Sequence, residues 1–230
     1  MMPALLIGLA LLAAGLLLYW LLVSTEGVFL GRRVVVWLYD VTAHRYDRIK
    51  QYDPADEQLL VVRPVADALG ACRQPRLLDV ATGTGRVPLA VAGALDEATI
   101  VGLDDAERML AVAAGKLAPY RRRVALVRSP AAPLPFAAAS FDLVTCLEAL
   151  EFFPSDEAAL AEMVRVLRPG GALLATRRSG WEGRLFLTRY RTEAALRQML
   201  ERQGLEAIRF FLWEVNYDLV VARKPGDAAA

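Results

Sequence analysis

From residue 76 onward the chain alternates short apolar runs with stretches of helical periodicity, and that rhythm leaves few folds open. The runs fall at 76–80, 99–103, 124–127, 141–146 and 172–176, with two more at 206–212 and 217–223. Helical patterns occupy the intervals near 86–94, 105–118, 155–168 and 192–203. Strands separated by helices form a parallel sheet covered on both faces. Pro169-Gly170-Gly171 breaks the chain between the fourth of these helices and the fifth strand. The last two strands are joined by only a few residues, which suits an antiparallel hairpin and not a crossover. The expectation is an α/β, Rossmann-like seven-stranded sheet, mostly parallel, with an antiparallel last strand.

A second feature stands ahead of this core. Residues 5–23 read LLIGLALLAAGLLLYWLLV without a charge. As a helix they reach roughly 28 Å, close to the ~30 Å hydrocarbon thickness of a bilayer. Tyr19 and Trp20 stand near the end of the run, where amphipathic rings favour the lipid–water boundary. No Lys or Arg precedes the run, it exceeds the length of a signal-peptide core, and no Ala-x-Ala site follows. The expected element is a single transmembrane helix. Arg32 and Arg33 follow within ten residues, so the positive-inside tendency leaves the rest of the chain in the cytoplasm. The composition agrees: 56% of residues are hydrophobic, high for a protein with only an internal core to fill.

Residues 28–50 form a basic amphipathic stretch, with Val34, Val35, Leu38, Val41 and Tyr46 near helical spacing. Such a helix either lies on anionic lipid or caps the domain that follows. Asp53-Pro54 opens another helix, ended by Gly70. The organisation reads as an anchor at 1–24, amphipathic and cap helices at 25–72, and a cofactor-binding domain at 73–226. The final GDAAA reads as a frayed tail. A net charge of +1 gives no field for nucleic acid. One histidine, His44, excludes a histidine-based metal cluster, and two distant cysteines suggest neither a disulfide framework nor a zinc site. Cys146 reads as a small core residue.

The first strand runs into LLDVATGTGR, residues 77–86. Gly83 and Gly85 sit in a strand-to-helix turn at the carboxyl end of a parallel strand, where α/β sheets place their ligands. Asp104 closes the second strand, nineteen residues after Gly85, and a carboxylate there can accept hydrogen bonds from both hydroxyls of a ribose. These features suit any adenosine cofactor. Pro88 takes the third position of the dinucleotide fingerprint, where a small residue normally allows close packing under a pyrophosphate. Asp79, an acid ahead of the turn, repels a pyrophosphate but accommodates an ammonium. The charge pattern favours S-adenosylmethionine over a nicotinamide cofactor.

LLDVATGTGR resembles motif I of the class I S-adenosylmethionine-dependent methyltransferases, on the branch that includes the ubiquinone/menaquinone-biosynthesis C-methyltransferases. IVGLDDAERML, PLPFAAASFDLVTC, LAEMVRVLRPGGALLAT and TEAALRQMLERQGLEAIRF resemble the family's later segments in the same order. The resemblance covers about 75–225. It implies that Asp79, Ala81, Gly83 and Gly85 line the methionine part of S-adenosylmethionine, with Thr82 on the same turn. It implies Asp104 at the ribose, Asp105 and Met109 near the adenosine, Ser129, Pro130 and Ala131 beside the adenine, and Leu147 and Glu148 near the transferring methyl. Two departures stand out. Pro130 takes the place of an acid that contacts the adenine amino group, and the family's histidine after the fourth strand is absent from CLEALEFF.

Methyl transfer to a sulfonium-activated group is mostly positioning. A base is required only where the acceptor loses a proton. The candidates are Glu148, Glu151, His44, Tyr46 and Asp47. Trp181 and Phe186 read as packing residues, and Arg177 and Arg178 as exposed. The expected function is methyl transfer to a small, lipid-soluble acceptor at the membrane surface. The alternative is a catalytically silent S-adenosylmethionine-binding or scaffolding protein that keeps the fold.

Overall fold

The computed structural model describes residues 2–226. Of the tail read as frayed, residues 227–230 lie outside the described residues. The chain begins with helix α1 (Met2–Tyr19), which continues as a wider π-helical turn at Trp20–Ser24. No residue of the apolar stretch Leu5–Ser24 is buried. Gly27 and Gly31 bracket a single turn at Val28–Leu30, after which α2 (Arg32–Lys50) begins. The second helix of the appendage is one continuous rod with a wider middle: α3 (Pro54–Glu57), a π-helical segment at Gln58–Val62, then α4 (Arg63–Leu69). Asp53 caps it by accepting a hydrogen bond from the Ala55 N–H at 2.7 Å, with Pro54 in its first turn.

The core then alternates in the expected order: β1 (Arg76–Val80), α5 (Arg86–Ala94), β2 (Thr99–Asp104), α6 (Glu107–Leu117), β3 (Val124–Arg128), β4 (Phe141–Cys146). It continues with α7 (Asp156–Val166), β5 (Leu167–Arg178), the single turn α8 (Gly180–Gly183), α9 (Glu193–Arg202), β6 (Glu206–Glu214) and β7 (Tyr217–Arg223). The sheet order is β3-β2-β1-β4-β5-β7-β6. Strands β1 to β5 pair in parallel, and β7 runs antiparallel between β5 and β6.

Strand β1 shows why the sheet must be covered twice. Leu77 packs with Val91, Ile100 and Leu143 on one face, whereas Leu78 and Val80 pack with Leu160, Met163 and Leu173 on the other. Successive side chains of a strand point to opposite faces, so a run buried throughout needs helices on both sides. Cys146 is a buried core residue, as read from the sequence. Phe186 also joins the core, whereas Trp181 is exposed.

Two boundaries differ from expectation. Helix α7 ends at Val166, two residues early, and β5 starts at Leu167, so Pro169-Gly170-Gly171 lies inside an extended strand. Phe141 pairs with Leu167 and Leu143 with Ala172, so the strand bulges there and absorbs the proline without losing its partner. Arg177 and Arg178, expected to be exposed, are instead paired within β5. Arg177 bonds Asp218 of β7, and Arg178 Nε donates to Glu151 at 2.6 Å.

Candidate functional site

The site forms where the carboxyl ends of β1, β2 and β4 meet the underside of α2. The turn after β1 is clamped to the end of β2. The Thr82 N–H donates to the Leu103 carbonyl at 2.9 Å, and the Gly83 N–H donates to the Asp104 carboxylate at 2.8 Å. The other oxygen of Asp104 accepts from the Ala106 N–H at 2.9 Å. Two backbone donors therefore fix this carboxylate in one orientation at the sheet edge.

Both glycines of the turn have a visible reason. Gly83 is left-handed, at φ +54°, and a Cβ there meets no atom within 4 Å because the space beside it is a cavity. Gly85, at φ +83°, begins α5, and a Cβ on it stands 3.0 Å from Leu117 and 3.2 Å from Ala113. Two non-glycine residues around the same cavity are also left-handed: Ala81 at φ 59° and Glu148 at φ 53°. Such strain persists where surrounding structure over-determines the backbone, and it gathers at ligand sites.

The cavity measures about 310 Å³. That lies at the lower end of the range for small-molecule sites, roughly 300–1,000 Å³. The sheet-edge wall contains Ala81, Gly83, Asp104, Asp105, Ser129, Pro130, Ala131, Leu147 and Glu148, all expected near the ligand from sequence. The opposite wall comes from α2, through Arg32, Val35, Val36, Tyr39 and Tyr46, with Phe152 closing one side. Tyr39 stands 6.0 Å from Tyr46 and 5.9 Å from Phe152, ring centre to ring centre.

Other expected residues stand elsewhere. Asp79 does not line the cavity. It is 2% exposed, beneath the turn, and accepts a 2.6 Å hydrogen bond from the Thr145 hydroxyl on β4. Burial pushes its carboxyl up to about 7. Thr82 and Gly85 are buried behind the turn, shaping it without lining the cavity. Met109 is buried in a small cluster with Ala43 and Ala106, under α2. Among the base candidates, His44 is exposed on the outer side of α2. Glu151 is buried away from the cavity, held by Arg178 and by a 2.9 Å bond from the Tyr217 hydroxyl. Asp47 accepts from Thr84 at 2.5 Å and from Lys116 at 2.8 Å, pinning α2 to the core.

Glu148 and Tyr46 do reach the cavity. Both oxygens of Glu148 are engaged by cations: Lys50 of α2 holds one, and Arg86 donates to the other at 2.6 Å. Arg86 also contacts Glu57 and Glu214, each at 2.9 Å, and lies over the rings of Tyr52 and Trp213. This hub gives Glu148 a structural task.

Sequence reasoning missed two groups. Tyr39, on the cavity wall, donates its phenol hydrogen to Glu26 at 2.8 Å. Burial pushes both the Glu26 carboxyl and the Tyr39 phenol above their ordinary values. Arg32 donates to both oxygens of Asp105, to one through Nε and to the other through Nη2 at 3.1 Å, and so closes that end of the cavity. Both Tyr39 and Arg32 belong to an amphipathic pattern that gives helix and face but not the surface opposite.

The charge of the lining is decisive for the ligand. Asp104, Asp105 and Glu148 face the cavity with one guanidinium, Arg32. Asp105 and Glu148 have cationic partners, so among the described residues Asp104 is the lining carboxylate held by backbone alone. A net-negative chamber with phenol and phenyl rings suits a cationic adenosine compound and disfavours a pyrophosphate.

Comparison with known proteins agrees. Residues 78–175 match the methyltransferase domain family. A ubiquinone/menaquinone biosynthesis C-methyltransferase of Syntrophotalea carbinolica is 38% identical over 141 residues, covering 60% of this chain and 58% of that protein. The segment carries the turn, the β2 acid and the β4 approach in one piece. Over that segment the chain is similar to methyltransferase domains. The chain spans less than two thirds of the length of that curated relative. Among solved structures, an S-adenosylmethionine-dependent methyltransferase from Aquifex aeolicus superimposes with a TM-score of 0.64 at 18% identity, covering 80% of this chain and 98% of that one. A [4+2]-cyclase superimposes with a TM-score of 0.70 at 20% identity, covering 84% of this chain and 96% of that one. At such identities the likeness concerns the fold, and the cyclase is a reminder that the fold hosts more than one reaction. The residues on the sheet edge fit S-adenosylmethionine: a fixed carboxylate for a ribose, a side-chain-free approach at Gly83 and a negative lining.

Proposed function

We propose that this chain transfers a methyl group from S-adenosylmethionine to a small, lipid-soluble acceptor at a membrane surface, with the catalytic domain on the cytoplasmic side. The observation that carries the proposal is the composition of the chamber. Its cofactor wall is a sheet edge, and its other wall is a helix that follows directly on an unburied apolar helix of membrane-spanning length. The similar protein from Syntrophotalea carbinolica is named for quinone biosynthesis, which supports an apolar aromatic acceptor. Arg32 and Arg33, just beyond the span, support the cytoplasmic orientation.

The cofactor supplies a methyl group already activated on a sulfonium. The protein's work is then positioning and exclusion of water. Asp104 accepts hydrogen bonds from the ribose hydroxyls. Ser129, Pro130 and Ala131 flank the adenine, which at Pro130 meets an apolar ring in place of a carboxylate. Asp105 and Arg32 close the adenosine end. Tyr39, Tyr46 and Phe152 hold the acceptor against the methyl. Where the acceptor sheds a proton, Tyr39 is the group within reach, and Glu26 takes the phenol hydrogen behind it. Glu148, with both oxygens on cations, braces Arg86 and Lys50.

Incubating the detergent-solubilised chain with methyl-labelled S-adenosylmethionine and a membrane lipid extract tests the proposal. Label is expected in the organic phase. Label confined to water-soluble products overturns the lipid acceptor. The alternative of cofactor binding without turnover rests on Pro130, and tight binding with no labelled product in any fraction would favour it.

A further inference from the structure

Helix α2 has two faces with different duties. Its inner face closes the chamber through Val35, Val36, Tyr39 and Tyr46. Its outer face is neither polar nor covered. Trp37 is 58% exposed, Val41 43% and Ile49 65%. Arg33, Arg45 and Arg48 are exposed among them. Arg33, Trp37, Val41 and Arg45 recur every four residues, which places them along one stripe of the helix. A tryptophan and aliphatic side chains set between arginines form an interfacial pattern. The apolar groups enter the acyl boundary while the guanidinium groups stay with the phosphates.

Position narrows the occupant. Only residues 25–31 separate the end of the apolar span from the start of α2. Seven residues reach at most about 25 Å, so if the span crosses a bilayer, α2 starts within reach of its surface. The joint is also built. Trp20, in the last turn of the span, stacks on Phe29 at 5.0 Å and donates to the Leu185 carbonyl at 3.2 Å. The segment around Gly27 packs against Val34 and Leu38 of α2. The helix therefore does not swing freely away from the anchor.

We infer that the outer face of α2 beds into an anionic lipid surface while its inner face roofs the reaction chamber. The inference rests on the anchor reading above and adds to it a specific contact and a lipid charge. An acceptor dissolved in the bilayer then meets the chamber at the edge of the same helix, without crossing bulk water. Each arginine near such a surface adds attraction that anionic lipid strengthens and salt weakens.

The test uses the full chain in bilayer discs, either of phosphatidylcholine alone or of phosphatidylcholine with phosphatidylglycerol, each with acyl-brominated lipid. Quenching of Trp37 is read as the difference between wild type and Trp37→Phe. Trp37 emission is expected to fall at least about twofold in anionic discs and less in neutral ones, following the attraction of arginines to anionic lipid. A variant with Arg33, Arg45 and Arg48 all changed to Gln is expected to remain in the discs and lose the difference. A chain held in anionic discs with Trp37 unquenched overturns this inference and leaves the anchor standing. Trp37 unquenched by brominated lipid yet shielded from acrylamide assigns the face to a second copy of the chain. Equal quenching in both kinds of disc removes the charge argument. Elution of the chain apart from the discs overturns the anchor reading and this inference together.

Discussion

The two walls of the chamber are built by different means. The sheet-edge wall is held from behind. Its turn is bonded to β2, its carboxylate is fixed by two backbone donors, and the strands beneath are buried on both faces. The α2 wall is held from its ends and flanks, by Arg32 on Asp105, Lys50 on Glu148, and Asp47 on Thr84 and Lys116. Asp40 adds a cap, accepting from the Arg108 N–H at 2.8 Å in the first turn of α6. Few of the α2 side chains are fully buried, among them Val35 and Ala43. A wall of backbone hydrogen bonds is rigid with its fold, whereas a wall of partly wet ion pairs opens at modest cost. The sheet-edge wall is held by the fold itself, whereas the α2 wall depends on contacts that a solvent-exposed opening would break.

The comparison is broken most severely at Arg86, which joins the two systems through Glu57, Glu148 and Glu214. Arg86→Met leaves three carboxylates facing one another, and removing one partner of a buried pair costs about 3–5 kcal/mol. Thermal unfolding should show a drop of many degrees. A shift of only a degree or two would mean that the hub is solvated and the walls are independent.

Asp104→Ala is expected to weaken S-adenosylmethionine binding at least about tenfold, the equivalent of about 1.4 kcal/mol. Tyr39→Phe should leave the same affinity within about twofold, because that phenol stands on the α2 wall and bonds Glu26, not the sheet edge. Calorimetry on both variants separates the walls directly. Equal losses would erase the distinction.

Asp79 sharpens it further. Burial raises its carboxyl from an ordinary 3.8 to about 7. The folded protein therefore holds a proton there that the unfolded chain releases, so stability falls as pH rises from about 4 to about 7 and then levels off. A cationic ligand above the turn favours the ionised form, so affinity for S-adenosylmethionine should climb as pH passes through 7, with release of a proton. Asp79→Asn should flatten both profiles. A wild-type affinity that stays constant between pH 6 and pH 8 would rule out this coupling.

Ala81 and Arg32 give the smallest effects. Ala81 is left-handed, so Ala81→Gly is expected to stabilise the protein by about 0.5–1 kcal/mol in chemical unfolding. The half-exposed pair of Arg32 and Asp105 contributes below about 1 kcal/mol, so Arg32→Met should barely move global stability. Its signature is faster hydrogen exchange confined to α2. Unchanged exchange there would show that the cover is held by packing alone.

The sequence by itself determined the sheet. Runs such as 76–80 and 141–146 bury both faces, and that pattern depends on side chains a few residues apart. It also located the turn, because Gly83 and Gly85 answer to local backbone and to the strand before them, and it marked Asp104 by spacing. Tertiary structure decided what those residues face. Asp79 turned inward to Thr145, because β4 offers a hydroxyl beneath the turn. Glu148 and Glu151, three apart in one loop, went to different arginines on different strands and helices. Tyr39 became part of the chamber because α2 lies across the sheet edge, a contact between segments far apart in the chain. Periodicity records which side of a helix is apolar, but the partner of that side is chosen only when the whole chain packs.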